Sequence, residues 1–162
     1  MPAPDITETY GNRIRVRVCG IATTEESILL VNHSGINKSG SWWAPPGGGV
    51  EFGESLEEAL IREFEEETGL LIEVKEQLFI SEYIKDSLHA VEVFFKVKVR
   101  SRKLIKGNDP ELAADSQQIV EVKYVTFDEL SLIEENAKHR CLQGAATQSD
   151  VLSKKGYLPY LR

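Results

Sequence analysis

The stretch "GGVEFGESLEEALIREFEEETGL", residues 48–70, carries the whole charge excess of the chain. It holds eight glutamates and one arginine, and its net charge of −7 equals the net charge of all 162 residues. Four of those glutamates lie within the five positions from Glu63 to Glu67. Like charges four residues apart on a helix cost about 0.2–0.5 kcal/mol per pair. Something must offset this repulsion, and what offsets it indicates what the segment does.

Local signals predict a helix inside this stretch. Ser55 followed three residues later by Glu58 is a capping box, which marks a helix start. Gly69 suits the left-handed conformation that commonly ends a helix. The sequence therefore predicts a helix over roughly residues 56–68.

The side chains of this helix separate into faces when they are spaced at about 100° per residue. The apolar stripe is predicted to comprise Leu56, Leu60 and Phe64, with Ile61 widening it. The opposite face, predicted to point to solvent, comprises Glu58, Arg62 and Glu65.

Three further carboxylates are placed differently. Glu63 and Glu67 fall on or beside the apolar stripe, and Glu66 flanks them. An unpaired ionised carboxylate in such a place costs several kcal/mol, so it must be protonated, paired with a buried base or bound to a cation. Oxygen ligands at i, i+3 and i+4 suit a hard divalent ion such as Mg²⁺. A salt-bridged helix edge is the alternative.

Directly before the helix, "PPGGGVEFGES" (residues 45–55) contains three successive glycines. Glycine permits close approach of a ligand to the backbone and leaves carbonyl groups free to face a metal. Taken alone, such a segment is more often an ordinary turn.

Together, the glycine run and the helix resemble the Nudix box, G-x5-E-x7-R-E-U-x-E-E-x-G-U, in which U is apolar. All nine fixed positions match, namely Gly48, Glu54, Arg62, Glu63, Phe64, Glu66, Glu67, Gly69 and Leu70. The resemblance implies an α/β fold, the Nudix-type α/β/α sandwich with a mixed sheet, in which the box forms loop, helix and loop. It also implies a divalent-metal-dependent hydrolase that uses Mg²⁺ or Mn²⁺.

The substrate class implied by the resemblance is a nucleoside diphosphate linked to another moiety. ADP-ribose, a nucleotide sugar and a modified nucleoside triphosphate remain open, because the residues that often mark family subgroups after the box are absent from "EYIKDSLHA" (residues 82–90). A non-catalytic nucleotide-binding sensor on the same fold is the main alternative, and a structural protein with an acidic surface helix is a weaker one.

The resemblance also assigns roles to residues. The metal ligands would be Glu63, Glu66, Glu67 and a backbone carbonyl of the glycine turn, at Gly48 or Gly47. The position of Glu54 is structural in the family, and Arg62 would orient a catalytic glutamate. The general base would be Glu66 or Glu63, or a carboxylate on the loop "NDPELAADSQQ" (residues 108–118), where Glu111 and Asp115 are the candidates.

Alternating apolar residues predict the remaining elements. The predicted strands are residues 13–23 and 27–33, paired across the "TTEE" turn, and residues 70–84, 89–101 and 119–127. One or two helices are expected within residues 128–145. We expect one domain over residues 1–162, with its core at about residues 10–135 and a helical C-terminal tail.

Two aromatic and three basic side chains are further candidates for substrate contact. Trp42 and Trp43 point to opposite sides if they lie in a strand, so one is expected in the core and the other could stack on a base. Arg13, Arg15 and Arg17 share one strand face, and could meet phosphates or face water.

Composition excludes several other classes. A pI of about 5.1 argues against a general nucleic-acid binder. No apolar run approaches the roughly 20 residues of a membrane span, and the start of the chain has no apolar signal core. The three histidines share no spacing typical of a zinc site. Two widely separated cysteines, Cys19 and Cys141, favour a reducing compartment, so we expect a cytoplasmic protein, although one disulfide is possible. A homodimer is plausible by family analogy.

Overall fold

The computed structural model describes residues 6–36, 38, 40–100, 103–107 and 118–160. The helices are α1 (Ile6–Tyr10), α2 (Leu56–Thr68), α3 (Phe127–Leu132) and α4 (Gln148–Leu152). The strands are β1 (Arg13–Ile21), β2 (Ser27–His33), β3 (Trp42–Ala44), β4 (Gly47–Gly49), β5 (Ile72–Lys85), β6 (Leu88–Val99), β7 (Ile119–Thr126) and β8 (Gly156–Leu158). Two 3₁₀ turns lie at Glu135–Ala137 and Arg140–Leu142.

The strands form two sheets. A five-stranded sheet has the order β4-β1-β6-β5-β8, and a three-stranded sheet has the order β3-β2-β7. The larger sheet is mixed, because β1 runs parallel to β6 and β5 runs parallel to β8, whereas its other pairs are antiparallel. The smaller sheet is antiparallel throughout.

The predicted pairing of residues 13–23 with residues 27–33 across the "TTEE" turn forms only beside the turn. There, Thr23 and Ile28 form an antiparallel bridge and the Leu29 N–H donates to the Ala22 carbonyl at 2.9 Å, whereas β1 and β2 themselves lie in different sheets. The second half of β1 and the first five residues of β2 are buried. Strands buried on both faces need cover from two sides, which a two-stranded hairpin on a surface does not provide.

Helix α2 has the predicted bounds. The Ser55 hydroxyl accepts a hydrogen bond from the Glu58 N–H at 3.2 Å, and the Glu58 carboxylate accepts one from the Ser55 N–H at 2.8 Å. Gly69 ends the helix at a φ of 70°, a left-handed conformation that favours glycine. Local capping chemistry therefore fixes both ends of α2, and with them the spacing of the glutamates.

The core has two parts, on opposite faces of the sheets. Alternate residues of β1 belong to different parts of the core. Val18 packs with α2, while Cys19 packs with the C-terminal segment. The part under α2 includes Leu60, Phe64, Val93, Phe95 and Val97. The other part includes Ile21, Phe94, Leu130, Cys141, Leu142 and Val151. Helical layers thus cover both faces of the strands, which confirms the predicted α/β/α sandwich with a mixed sheet.

The buried arc of α2 is rotated from its predicted position. Ile61, which was expected to widen the apolar stripe, is 38% exposed, whereas Ala59 on the other flank is fully buried. Glu67 is only 6% exposed. The strands that cover α2 therefore approach it from the side on which Glu63 and Glu67 lie, and this brings both carboxylates into the interior.

Residues after 135 are part of the packed interior. Leu142 and Val151 are fully buried in the core, and Trp43 forms a bridge with Lys138. The tail contains the short strand β8 as well as helix α4, so it is not purely helical. Cys19 and Cys141 are both buried free thiols, and no disulfide joins them. None of the helices in the described residues is long and apolar enough to cross a membrane.

The rotated packing of α2 gives a first prediction. Phe64→Ala should lower the free energy of unfolding by about 3–5 kcal/mol, because Phe64 is fully buried and its removal leaves a cavity. Ile61→Ala, on the exposed flank of the same helix, is the matched control and should change it by about 0.5 kcal/mol or less. Urea titration measures both values. Equal losses in the two variants would contradict the packing described here.

Candidate active site

Arg62 is bonded to three carboxylates. Its Nε and Nη2 donate to the two oxygens of Glu54 at 2.7 and 2.9 Å. Its Nη1 donates to Glu63 at 2.9 Å and to Glu66 at 3.2 Å, and Nη2 also donates to the carbonyl oxygen of Gly49 at 3.0 Å. One guanidinium therefore joins the loop before α2, the helix itself and the end of strand β4.

The prediction that Arg62 points to solvent is wrong. Its side chain is 26% exposed and lies among acidic partners. A helical projection gives the direction of the Cα–Cβ bond, but the long arginine side chain can curve along the surface toward charged groups. The Glu54 carboxylate, followed by Glu63, raises the pKa of Arg62 further, so this arginine is permanently charged. By contrast, Glu58 and Glu65 are exposed as predicted.

Glu63 packs against the glycine strand. A Cβ atom added to Gly48 would overlap the Glu63 carboxylate, so only glycine at this position lets the carboxylate lie against the β4 backbone. The Glu63 side chain is 14% exposed. Burial, partly opposed by the bond from Arg62, raises the pKa of Glu63 to about 7. In the absence of a cation, this group is therefore balanced between its acid and its base form near neutral pH.

Glu67 lies deeper than Glu63. Its Oε2 accepts a hydrogen bond from the backbone N–H of Gly47 at 2.9 Å. A Cβ at Gly47 would overlap the backbone of β1, so this glycine is needed where the two strands approach each other. Strand β4 is thus held between β1 and two buried carboxylates of α2.

The donor set suits a hard divalent ion, but in this state the carboxylates bind protein groups. Among the described residues, no three His, Cys, Asp or Glu side chains surround one point closely enough to hold a metal. Glu63 and Glu66 are turned toward Arg62, and Glu67 toward Gly47. All of these ligands would be oxygens beside the backbone of β4, as Mg²⁺ and Mn²⁺ prefer. Ion binding would require these carboxylates to converge on one point, and the metal-ligand roles stay a prediction.

A second group of charged residues lies on the other face of β1. Arg17 pairs in register with Glu92 of β6, and their charged atoms are 3.8 Å apart. The Glu92 carboxylate is 2.6 Å from Nε2 of His139. Nδ1 of His139 accepts the N–H of Cys141, so the ring proton lies on Nε2 and is donated to Glu92. Burial would raise the pKa of Glu92, but His139 and Arg17 outweigh it and hold that pKa below its usual value.

The tryptophans are divided as predicted. Trp43 is buried in the core, whereas Trp42 is partly exposed and meets the His139 ring edge-on, with ring centroids 6.2 Å apart. Nearby, burial and then the positive charge of Arg17 lower the pKa of His33 to about 4, which keeps that ring neutral. Trp42 is therefore the tryptophan that stays a candidate for stacking on a base.

The three arginines of β1 have different environments. Arg13 is exposed and donates to the Thr9 carbonyl at 2.7 Å, and Arg15 stacks over the ring of Tyr10 at 3.8 Å. Arg17 extends into the group formed with Glu92. The sequence left open whether these arginines face water or meet phosphates. Arg13 faces water, whereas Arg17 does not.

The structure thus brings Glu63, Glu66, Glu67, Arg62 and Gly48 together. Glu111 and Asp115 lie outside the described residues, and their roles stay predictions. Sequence reasoning missed Glu92 and His139. A single carboxylate in the apolar strand "HAVEVFFKV" (residues 89–97) is a signal that could have pointed to Glu92. The position of His139 beside it has no local signal.

A groove of about 640 Å³ lies elsewhere on the molecule. Lys75, Lys96, Lys98 and Tyr124 are among the residues that line it, and none of the α2 glutamates does. The groove therefore does not belong to the acidic site.

Comparison with known proteins gives the family. The NUDIX domain model matches residues 11–142. An ADP-ribose pyrophosphatase from Methanocaldococcus jannaschii is 35% identical over 119 residues, which is 65% of this chain and 70% of that protein. An m7GpppN-mRNA hydrolase from Xenopus laevis is 43% identical over 68 residues, but these cover only 41% of this chain and 23% of that protein.

A solved structure gives the same fold. The crystal structure of a NUDIX hydrolase from Nitrosomonas europaea superposes with a TM-score of 0.64 at 19% identity, covering 90% of this chain and 79% of that one. The chain therefore belongs to the Nudix hydrolases, a family of pyrophosphohydrolases that typically depend on divalent metals.

The raised pKa of Glu63 gives a second prediction. Because the folded protein holds this proton up to about pH 7 and an ordinary glutamate loses it near 4.5, the associated stability is present at low pH and is lost as pH rises through 7. The loss is about 3–4 kcal/mol at most, because the pKa rises from 4.5 to about 7 and each unit corresponds to about 1.4 kcal/mol. Thermal unfolding is measured in EDTA between pH 5 and pH 8. As the pH rises, wild type should lose stability relative to Glu63→Gln. Glu57→Gln, on the exposed side of α2, should follow the wild-type curve, and parallel curves for all three proteins would refute this prediction.

Proposed function

We propose that this protein hydrolyses the pyrophosphate bond of a nucleoside diphosphate linked to another moiety, with ADP-ribose as the first candidate substrate. The observation that carries the proposal is the burial of Glu63 and Glu67 against the glycine strand β4, with Arg62 bridging Glu63 to Glu66. Buried carboxylates side by side are costly to keep, which favours a site built for cations and their anionic ligands.

Glu63, Glu66, Glu67 and the carbonyl of Gly48 are the groups that would hold Mg²⁺ or Mn²⁺. When bound, the ion supplies positive charge for the phosphates and lowers the pKa of an attacking water. Arg62 orients the Glu63 and Glu66 carboxylates through Nη1, and its bidentate bond with Glu54 fixes the guanidinium plane. This chain therefore supplies both the ligands and the group that aligns them.

The general base is proposed to be Glu63 or Glu66, because both carboxylates belong to the proposed metal site and are oriented by Arg62. A base works best when its pKa lies near the working pH, and the Glu63 pKa of about 7 meets that condition before an ion binds. Glu111 and Asp115 are the candidates outside the described residues, and Glu111 is tested first. Measuring kcat of Glu63→Gln, Glu66→Gln and Glu111→Gln tests these three residues as the general base. Similar small losses of kcat in all three variants would reject all of them.

The substrate proposal depends on the relative from Methanocaldococcus jannaschii, whose name specifies ADP-ribose. A nucleotide sugar and a modified nucleoside triphosphate remain alternatives within the same reaction class. We propose a homodimer by family analogy. The composition of the chain leads us to propose a cytoplasmic protein with no nucleic-acid or membrane partner. A monomer mass by light scattering at micromolar concentration would reject the dimer.

The test of function is product release from ADP-ribose, a nucleotide sugar and nucleoside triphosphates, with Mg²⁺, with Mn²⁺ and with EDTA. We expect turnover of one class that EDTA abolishes. Glu67→Gln should lower kcat by at least about 100-fold, since one metal-ligand charge is lost while the Gly47 N–H still has an acceptor. Glu57→Gln should retain full activity.

Two outcomes would overturn this proposal. Unchanged turnover in Glu67→Gln, with metal dependence intact, would reject the ligand assignment. Binding of a nucleotide without any metal-dependent turnover would favour the alternative of a sensor module.

The glycine strand provides a paired test. Gly48→Ala should reduce metal-dependent kcat by about 10-fold or more, because its Cβ would displace the Glu63 carboxylate and small displacements at a site are costly. Gly49→Ala is the matched control, since its Cβ would meet only the flexible end of Arg15 at 3.3 Å, and its kcat should stay within about threefold of wild type. A normal kcat in Gly48→Ala would show that the contact with Glu63 does not matter.

A further inference from the structure

Arg17 lies close to the acidic site but takes no part in the hydrogen bonds that hold it together. In strand register Arg17 is opposite Gly49 of β4, the residue after the glycine that contacts Glu63. Neighbouring strands are about 4.8 Å apart, so Arg17 is one strand removed from the backbone of the proposed metal site. A pyrophosphate held at β4 would therefore lie about one strand spacing from this arginine.

The bonding of Arg17 is incomplete. Its guanidinium is 3.8 Å from Glu92, too far for a hydrogen bond, and its buried Nε has no partner among the described residues. In the next strand, the register places Ser81 beside Glu92, and the buried hydroxyl of Ser81 also lacks a partner within the part of the chain that the structure describes. Buried polar atoms are nearly always paired in folded proteins. Ser81 lies on β5, two strands beyond β1, so of these two atoms only Nε of Arg17 is beside β4, where a polar ligand could pair with it.

Glu92 already has a closer partner than Arg17. Its carboxylate accepts the 2.6 Å bond from His139, a charge-assisted contact inside the core. Arg17 is also still accessible, because 31% of its side chain is exposed while the Glu92 side chain is 4% exposed. Arg17 is thus paired with a buried carboxylate, while part of its own side chain stays open to solvent.

We propose that Arg17 is a substrate-binding residue that donates hydrogen bonds to a phosphoryl oxygen of the substrate on the side of β4 away from α2. Glu92 is its positioning residue, and His139 in turn positions Glu92. This inference rests on the proposed function for the kind of substrate, but it concerns binding and not the hydrolytic step. A planar guanidinium with several N–H donors suits phosphate oxygens better than an ammonium group does.

Calorimetric titration with ADP-ribose in EDTA, supported by Mg²⁺-dependent kinetics on ADP-ribose, tests the proposal. Arg17→Gln should weaken ADP-ribose binding at least 10-fold and raise KM to a similar extent, with kcat within about threefold of wild type. Arg17→Lys should recover part of the affinity. Arg13→Gln is the matched control, an exposed arginine on the same strand face, and should bind like wild type.

Each outcome decides the proposal. If Arg17 only balances the charge of Glu92, Arg17→Gln should have a lower melting temperature but an unchanged affinity for ADP-ribose. That result would overturn the proposal. If Arg17→Gln does not fold, the Arg17→Lys variant is used to test the proposal. A wild-type affinity for ADP-ribose in that variant would show that a guanidinium is not needed. Wild type could bind ADP-ribose without turning it over. If that binding also depends on Arg17, the result would support this inference and reject the hydrolase proposal. Undetectable ADP-ribose binding by wild type, with and without Mg²⁺, would overturn the inference.

Discussion

The guanidinium group of Arg62 lies among the carboxylates of Glu54, Glu63 and Glu66 and the carbonyl oxygen of Gly49. Charge-assisted hydrogen bonds of this kind are stronger than neutral ones, and the fork of the guanidinium gives them fixed directions. The glutamate repulsion within α2 is therefore offset inside the same segment. The loop, the helix and the edge strand keep their relative positions because all three bond to one side chain.

Arg62 offsets only part of the negative charge of these carboxylates, and the charge that remains determines the chemistry of the site. One positive charge faces several carboxylates, and burial raises the pKa of Glu63 into the neutral range. A proton, Arg62 and a divalent ion would all stabilise the same oxygens. Arg62 thus offsets part of the charge of the acidic helix, while the oxygen groups of the helix remain ones that a hard cation prefers.

The interior on the other face of the sheet is built with the C-terminal segment. His139 and Cys141 come from the 3₁₀ region after α3, and Leu142 and Val151 complete the core there. The bond from His139 to Glu92 ties this segment to the strand that faces Arg17. Residues more than 100 positions apart in sequence therefore determine how Arg17 is oriented beside the glycine strand.

The sequence by itself determined what depends on near neighbours along the chain. The bounds of α2 and its capping box follow from interactions between residues at most four positions apart, and the helical period places Glu63 and Glu67 on or beside the apolar stripe. The Nudix box is likewise visible in the sequence, and the α/β/α class is what that resemblance implies. Only the tertiary structure decided that Arg62 curves inward and that Ile61 stays exposed, because both depend on which flank of α2 the strands cover. It also decided that β1 and β2 belong to different sheets, and that Arg17, Glu92 and His139 meet, since the pairing of distant strands is set by sheet order and not by the pattern within any one strand.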